Sequence, residues 1–222
     1  MIATLLSLLL LGMFGGDMTA QQYLSFSVSG APTVRIQATN GSITLKTGGG
    51  SVSVTATKKA DSQEKLGALK VTSSQSGNTI TITAVDPQPC NDCGSIAFDA
   101  TVPAGAKVEL QTANGSIAAN GLGGDSRMTT VNGSVHAAYA STSNVHAVAL
   151  ETTNGSITLN LPSNAKLGRV RGSTTTGRIS SDWSLNIDRS NYVGSSLDQT
   201  VQSGGITINA TTVNGSISID KN

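Results

Sequence analysis

One short phrase recurs along this chain: Asn40-Gly41-Ser42-Ile43, Asn114-Gly115-Ser116-Ile117, Asn132-Gly133-Ser134-Val135, Asn154-Gly155-Ser156-Ile157 and Asn214-Gly215-Ser216-Ile217. A sixth copy is degenerate, Thr176-Gly177-Arg178-Ile179. Gly115 to Gly133 is 18 residues, and the next two steps, to Gly155 and to Gly177, are 22 each. Periods of this size mark stacked units, none of which buries its apolar face alone. The rhythm then breaks: 28 residues run from Gly177 to Gly205, across Trp183 and Tyr192, and only 10 more to Gly215.

The flanks repeat as well. Apolar residues stand six and four positions before the Asn (Val34 and Ile36, Val108 and Leu110, Val148 and Leu150) and three and five after it (Ile43 and Leu45, Ile157 and Leu159, Ile217 and Ile219). Two positions before it stands a threonine: Thr112, Thr130, Thr152, Thr174 or Thr212. Alternation with period two means extended strands with one buried face. The apolar parity changes across each Asn-Gly, so the chain must bend there or turn its later side chains outward. Two bends fit. A type I′ hairpin would place Thr152 opposite Ile157 and Leu150 opposite Leu159, because Asn and Gly both tolerate positive φ. A solenoid corner would instead lay successive coils on one another and stack the Ile residues inside. Near-constant spacing and near-identical corners favour the solenoid. The fold class is all-β: a parallel β-solenoid, with an antiparallel hairpin meander or sandwich as the alternative. The last coil, around residues 216–219, would then be an exposed edge open to pairing with another chain.

Composition agrees with narrow stacked sheets. Aromatics are 3% and charged residues 12% of the 222-residue chain, so Ile, Val, Leu and Ala must build the core. A net charge of +1 without a basic stripe encodes no attraction to nucleic acid.

Residues 1–14 hold an apolar run of signal-core length, too short to span a bilayer, and Ala20 before Gln21-Gln22 is a plausible cleavage point. The organisation expected is a signal peptide over 1–20 and one domain over 21–222, less regular to 104 and regular from 105. No later segment is apolar enough to cross a membrane. Before residue 105 the pattern reads as strands over 33–46, 51–57, 69–72, 79–84 and 95–102, with residues 58–66 as a loop or single helical turn.

Chemistry is sparse. Cys90 and Cys93 form a Cys-x-x-Cys in which export favours a structural disulfide of modest entropic gain. A redox pair would need a helix N-terminus at the motif, where residues 94–98 read as a strand. A zinc site would need two further ligands. His136 and His146 could form a metal pair only if coils bring them together; otherwise each is a solvent-facing strand residue. No nucleophile elbow is present, and the acids (Asp86, Asp92, Asp99, Glu109, Asp125, Glu151, Asp182, Asp188 and Asp198 among them) are scattered, with no repeat strand carrying two. Residues 121–125, Gly-Leu-Gly-Gly-Asp, are a single copy of a Gly/Asp pattern that binds calcium only when reiterated. Asn-Gly-Ser also spells an N-glycosylation sequon, but turn geometry accounts for its repetition.

The reiterated Thr-x-Asn-Gly-Ser-Ile, the lead-in Thr101-Val102-Pro103-Ala104-Gly105 before residues 108–112, and Leu161-Pro162-Ser163 together resemble bacterial adhesin-type domains of unknown function, relatives of the auto-transporter adhesin head. The likeness runs from about Phe26 to the end. It implies a right-handed parallel β-solenoid outside the cytoplasm or at the envelope, with no established reaction. The function expected is an exported, non-enzymatic interaction or structural module without metal or cofactor. Its partner is unidentified, with polysaccharide, an envelope component or a protein as the classes considered. The alternatives are a carbohydrate-active enzyme on a β-helix, which needs clustered acids, and an ice-binding solenoid, which needs outward Thr-x-Thr on a flat face. The repeat threonines share parity with the core, so they are expected to face inward or to line the corner. The residues singled out are the repeat corners, namely Asn40, Gly41, Asn114, Gly115, Asn132, Gly133, Asn154, Gly155, Gly177, Asn214 and Gly215.

Overall fold

The computed structural model describes residues 12–14, 17–85, 94–189 and 193–222. The Cys90–Cys93 disulfide expectation and Tyr192 lie outside the described residues. In chain order the elements are β1 (Gly12–Phe14), β2 (Asp17–Ser27), β3 (Thr33–Gln37), β4 (Ile43–Thr47), β5 (Ser51–Ala60), α1 (Gln63–Ala68), β6 (Lys70–Ser76), β7 (Thr79–Val85), β8 (Ser95–Val102), β9 (Lys107–Gln111) and β10 (Ile117–Leu122). They continue as β11 (Ser126–Thr129), β12 (Val135–Tyr139), β13 (Ala147–Asn154), β14 (Ile157–Leu161), β15 (Leu167–Thr176), β16 (Ile179–Ser181), β17 (Asp188–Arg189), β18 (Ser195–Thr200), β19 (Ile206–Asn214) and β20 (Ile217–Lys221).

The strands form two ten-stranded sheets, β1-β2-β5-β8-β4-β10-β12-β14-β20-β16 and β17-β18-β15-β19-β13-β11-β9-β3-β7-β6. The interior of each sheet is parallel, from β8 to β16 in the first and from β15 to β7 in the second. Each repeat coil therefore gives one strand to each sheet and turns between them at Asn-Gly, or at Thr176-Gly177 in the degenerate copy. The solenoid reading holds, and the hairpin alternative is overturned at the repeats. Ile157 pairs with Val135 and Ile217 in neighbouring coils, where a hairpin would have set it against Thr152. Antiparallel pairing is confined to the flanks, where β5, β2 and β1 extend the first sheet and β6, β18 and β17 extend the second.

Register puts like residues on like. Phe98, Ile43, Ile117, Val135, Ile157, Ile217 and Ile179 share one buried row of the first sheet. Ile80, Val34, Val108, Ser126, Val148, Ile208 and Val170 share one of the second. β-Branched side chains suit this pleated stacking, and each buried aliphatic contributes about 1.5–3 kcal/mol. Ser126 interrupts its aliphatic row because Tyr139, the largest fully buried side chain, brings its hydroxyl to 2.6 Å from Ser126 Oγ. Burial pushes the Tyr139 hydroxyl far above the usual tyrosine range, so it stays protonated.

The ends are closed. α1 lies against β2 and β5 with Leu66 buried, and Ser62 Oγ accepts from the Lys65 amide to cap it. The helix sits later than the expected turn, because alternation in β5 continues through Ala60. At the other end Trp183, Leu185 and Ile187 pack half-buried against the core, and Lys221 lies 5.2 Å from the Trp183 ring centroid. Cleavage after Ala20 would fall inside β2, leaving residues 21–27 paired with residues 51–57 of β5. Among the described residues no helix is long and apolar enough to cross a membrane.

Spatial order departs from chain order. Along the stack come β7 with β8, then the coils 33–47, 107–122, 126–139, 147–161, 206–221 and 167–181. The coil holding residues 216–219, expected at an exposed edge, is instead interior, with β20 paired to both β14 and β16. Gly205 is no corner. Residues 201–205 carry the chain around the start of β15, from β18 on one side to β19 on the other. There Gly205 and Gly168 lie backbone to backbone, and a Cβ on either would strike the other's chain. The 28- and 10-residue intervals therefore join into one step from Gly177 to Gly215, lengthened by β17 and β18.

The glycine requirement common to all six corners is steric, and at three of them it is torsional as well. Gly41, Gly177 and Gly215 have φ of +141°, +153° and +157°, whereas Gly115, Gly133 and Gly155 are not at positive φ. In all six a Cβ would collide with a backbone carbonyl one coil away, that of Gly115 in the case of Gly133. Gly133→Ala should therefore cost about 3 kcal/mol in urea unfolding, as overpacking against an immobile backbone does. Gly49→Ala, at φ +63° with nothing nearby, should cost only about 1 kcal/mol, the price of the left-handed region itself. Equal costs at the two positions would refute the steric account.

Candidate functional site: the stacked corner and the flat face

Each corner carries three hydrogen-bonded ladders. In the first, an Asn side-chain amide donates from Nδ2 to the Oδ1 of the Asn one coil earlier in the stack. The links are Asn114 to Asn40, Asn132 to Asn114 and Asn154 to Asn132, each 2.8 Å, and Asn214 to Asn154 at 2.7 Å. Thr176 of the degenerate copy closes the row, its hydroxyl donating to Asn214 Oδ1 at 2.8 Å. A hydroxyl suffices there because the end of a ladder needs only a donor.

The second ladder is the buried threonine two residues earlier. Thr112, Thr130, Thr152, Thr212 and Thr174 donate at 2.7–2.9 Å to the carbonyls of Gly41, Gly115, Gly133, Gly155 and Gly215. These threonines are buried and face inward, as their parity predicts, and supply a donor to carbonyls at a half-buried bend. In the third, the amides of Ser134, Ser156, Ser216 and Arg178 donate to the serine hydroxyl one coil earlier, at 3.1–3.4 Å. Backbone bonds run the other way: the amides of Gly41, Gly115, Gly133, Gly155 and Gly215 donate at 2.9–3.0 Å to the Asn or Thr carbonyl one coil later. Asn and Ser stay largely exposed, so the corner presents an uncharged ridge of amides and hydroxyls. Each ladder Asn keeps one N–H and one lone pair directed away from the stack.

Beside the ridge lies the outer face of the first sheet. Its central rows are Thr44, Ala118, His136, Thr158, Ser218 and Ser180, and Lys46, Asn120, Ala138, Asn160 and Asp220. Neighbouring strands lie about 4.8 Å apart, giving a flat lattice of small side chains. A shallow hollow of about 390 Å³ opens on it between β4, β5 and β8, lined by Thr44, Lys46, Ser53, Thr55, Asp99 and Thr101.

The second sheet is different, because its outer face is charged and paired. Arg35 Nε donates to Glu109 at 2.6 Å, Arg127 lies 3.9 Å from Glu151, and Arg169 engages Asp198 through two bonds of 2.8 and 2.9 Å. Hydrogen bonding by Arg35 and by Arg169 holds the Glu109 and Asp198 carboxyls below their usual range.

The remaining sequence candidates separate. His136 stands in a first-sheet row between Ala118 and Thr158. His146 is exposed at the entry to β13, on the second sheet, with Nδ1 3.8 Å from Asp125. Asp125 accepts from the His146 and Ala147 amides at 2.7 and 3.0 Å, so it serves the backbone. Among the described residues no group of three His, Cys, Asp or Glu is placed to hold a metal. Sequence reasoning missed the Arg–Glu rungs, because their partners are 74 residues apart in the chain for Arg35 and Glu109.

Stacked coils with repeated Asn-Gly corners and capped ends define a β-solenoid domain. The chain belongs to the Toastrack DUF4097 family, whose pattern it matches over residues 13–220. Among solved structures it is similar to a putative cell adhesion protein from Clostridium sporogenes ATCC 15579, at 11% identity, covering 92% of this chain and all of that one with a TM-score of 0.67. A putative adhesin from Bacteroides fragilis NCTC 9343 overlaps more loosely, at 10% identity over 91% of this chain and 97% of that one, with a TM-score of 0.37. No curated protein matches significantly.

Thr130→Val keeps shape but leaves the Gly115 carbonyl without its donor, and should cost about 1–3 kcal/mol by urea unfolding. Thr130→Ser should restore most of that loss; a neutral Thr130→Val would remove the threonine ladder from the account of stability. The depressed carboxyls predict a second effect. Stability from Glu109 and Asp198 is present above the ordinary carboxylate range and disappears as pH falls through it, between about pH 5 and 3. Glu109→Gln should therefore lose less stability than the natural chain over that interval, and parallel pH curves would count against the ion pair.

Proposed function

We propose that this chain is an exported, non-enzymatic module of the bacterial envelope, related to auto-transporter adhesin heads, that holds a polysaccharide, another envelope polymer or a protein against its first-sheet face. Residues 1–20 act as its export signal, and it works in the periplasm, at the surface or outside the cell. The observation that carries the reading is the contrast between the two outer faces. The first-sheet face and the adjoining corner offer mostly uncharged donors and acceptors at strand spacing, interrupted by Lys46, Asp99 and Asp220. The second-sheet face presents carboxylates already engaged by arginine.

The same contrast argues against a glycoside-cleaving enzyme. Glu109, Glu151 and Asp198 each face an arginine, and Asp125 serves two amides, so no such pair stands ready as acid and nucleophile. The inward threonine ladder likewise argues against ice binding. Membership of the Toastrack family and the cell-adhesion description of the Clostridium relative support an adhesin-like role.

The test is a glycan and envelope-polymer array probed with the full chain and two variants. Ala118→Arg with Ala138→Arg places bulk and charge on the first-sheet face, and should reduce retention at least tenfold. Ala149→Arg on the second sheet should leave it unchanged. The reversed outcome, or release of new reducing ends from a bound glycan, would overturn the proposal.

A further inference from the structure

The coil formed by residues 206–221 lies between the coil of 147–161, which it follows in the chain, and the coil of 167–181, which it also follows. Residues 162–166 therefore step over a vacant coil position, about two strand spacings wide, which a later part of the chain fills. What holds the filling coil is generic. Asn214 donates to Asn154, Thr212 to the Gly155 carbonyl, and Thr174 to the Gly215 carbonyl, the same three bonds made at the other corners. Ile217 stacks between Ile157 and Ile179 as its counterparts do elsewhere. The slot thus recognises the repeat and has nothing that distinguishes this chain's coil from that of a second copy.

We propose that this slot is a coil-exchange site, at which residues 206–221 of a second copy of the chain replace the chain's own. The hinge is residues 201–205, Val-Gln-Ser-Gly-Gly, exposed through residue 204, with Gly204 at φ +71° and open space where a Cβ would stand. In the closed form this segment is fastened only at its ends, the Val201 amide donating to Gly168 and the Ile206 amide to Lys166, each at 2.8 Å. Opening the hinge lets residues 206–221 leave as a unit. Insertion into a partner remakes every ladder bond and every aliphatic row, so closed and exchanged forms differ mainly in the hinge and in concentration. Reciprocal exchange gives a dimer, and one-way exchange along a series of copies gives a linear chain. This rests on the stacking alone and is independent of what the flat face binds.

Disulfide trapping tests it. Thr152 pairs with Thr212 and Asn154 with Asn214, so residues 153 and 213 are neighbours across the slot, at a spacing a disulfide accepts. Thr153→Cys and Val213→Cys are made separately, each in the full chain carrying Cys90→Ser and Cys93→Ser. They are mixed at high concentration in sub-denaturing urea, diluted and oxidised. Exchange predicts a mixed disulfide dimer well above its statistical half-share of cross-linked species, with the dimer fraction rising with concentration. The double variant Thr153→Cys/Val213→Cys in one chain should close internally as a monomer and abolish the dimer. Monomer alone in the mixture, three cross-linked dimers in random proportion, or a double variant that does not close internally would each overturn the proposal.

Discussion

At every repeat corner a glycine Cα rests against a backbone carbonyl of the adjoining coil, that of Ile96 for Gly41 and of a glycine for the rest, with no space for even a methyl group between them. That contact sets the closeness of the coils, and so brings the Asn amides, the Thr hydroxyls and the strand backbones within hydrogen-bonding range together. A chain with alanine at these sites would have to separate its coils locally, lengthening the side-chain ladders and opening the aliphatic rows beneath them. Stability here is distributed among nearest-neighbour interfaces, as in other one-dimensional repeats. The loss of one glycine acts on the two coils it separates, and the caps keep either end of the stack from standing open.

Much of this was legible in the sequence, because the period-two rows and the parity change at Asn-Gly demand strands that bend. The inward threonines followed from the same parity. The reason for the glycine did not. Local pattern suggests a positive-φ turn, and only neighbouring coils reveal the collision that excludes a Cβ. Spatial order was equally hidden. Asn214-Gly215-Ser216-Ile217 carries the same chemistry as the other corners, so nothing local says which neighbours it takes. Gly205 looked like a broken repeat because glycine also serves where two backbones cross, as it does against Gly168.

The candidate surface divides along the same line. Residues that alternate outward could be counted from sequence, but their arrangement into a mostly uncharged face and an ion-paired face depends on which strands become neighbours. Arg35 and Glu109 meet because β3 and β9 are adjacent, although five strands and a helix intervene in the chain. Tyr139 shows the converse. Its polar tip would be costly inside an aliphatic stack, and a serine substituted into a valine row makes it tolerable.

The opposed directions of the corner hydrogen bonds have a further consequence. Side-chain amides and threonine hydroxyls donate toward one end of the stack, while glycine amides donate toward the other. Their dipoles partly offset, unlike those aligned along an α-helix. Adding a coil therefore builds up little field along the axis, and electrostatics sets no preferred number of coils. A stack built on this corner can lengthen or shorten by whole coils, with the limit set by how the two ends are closed.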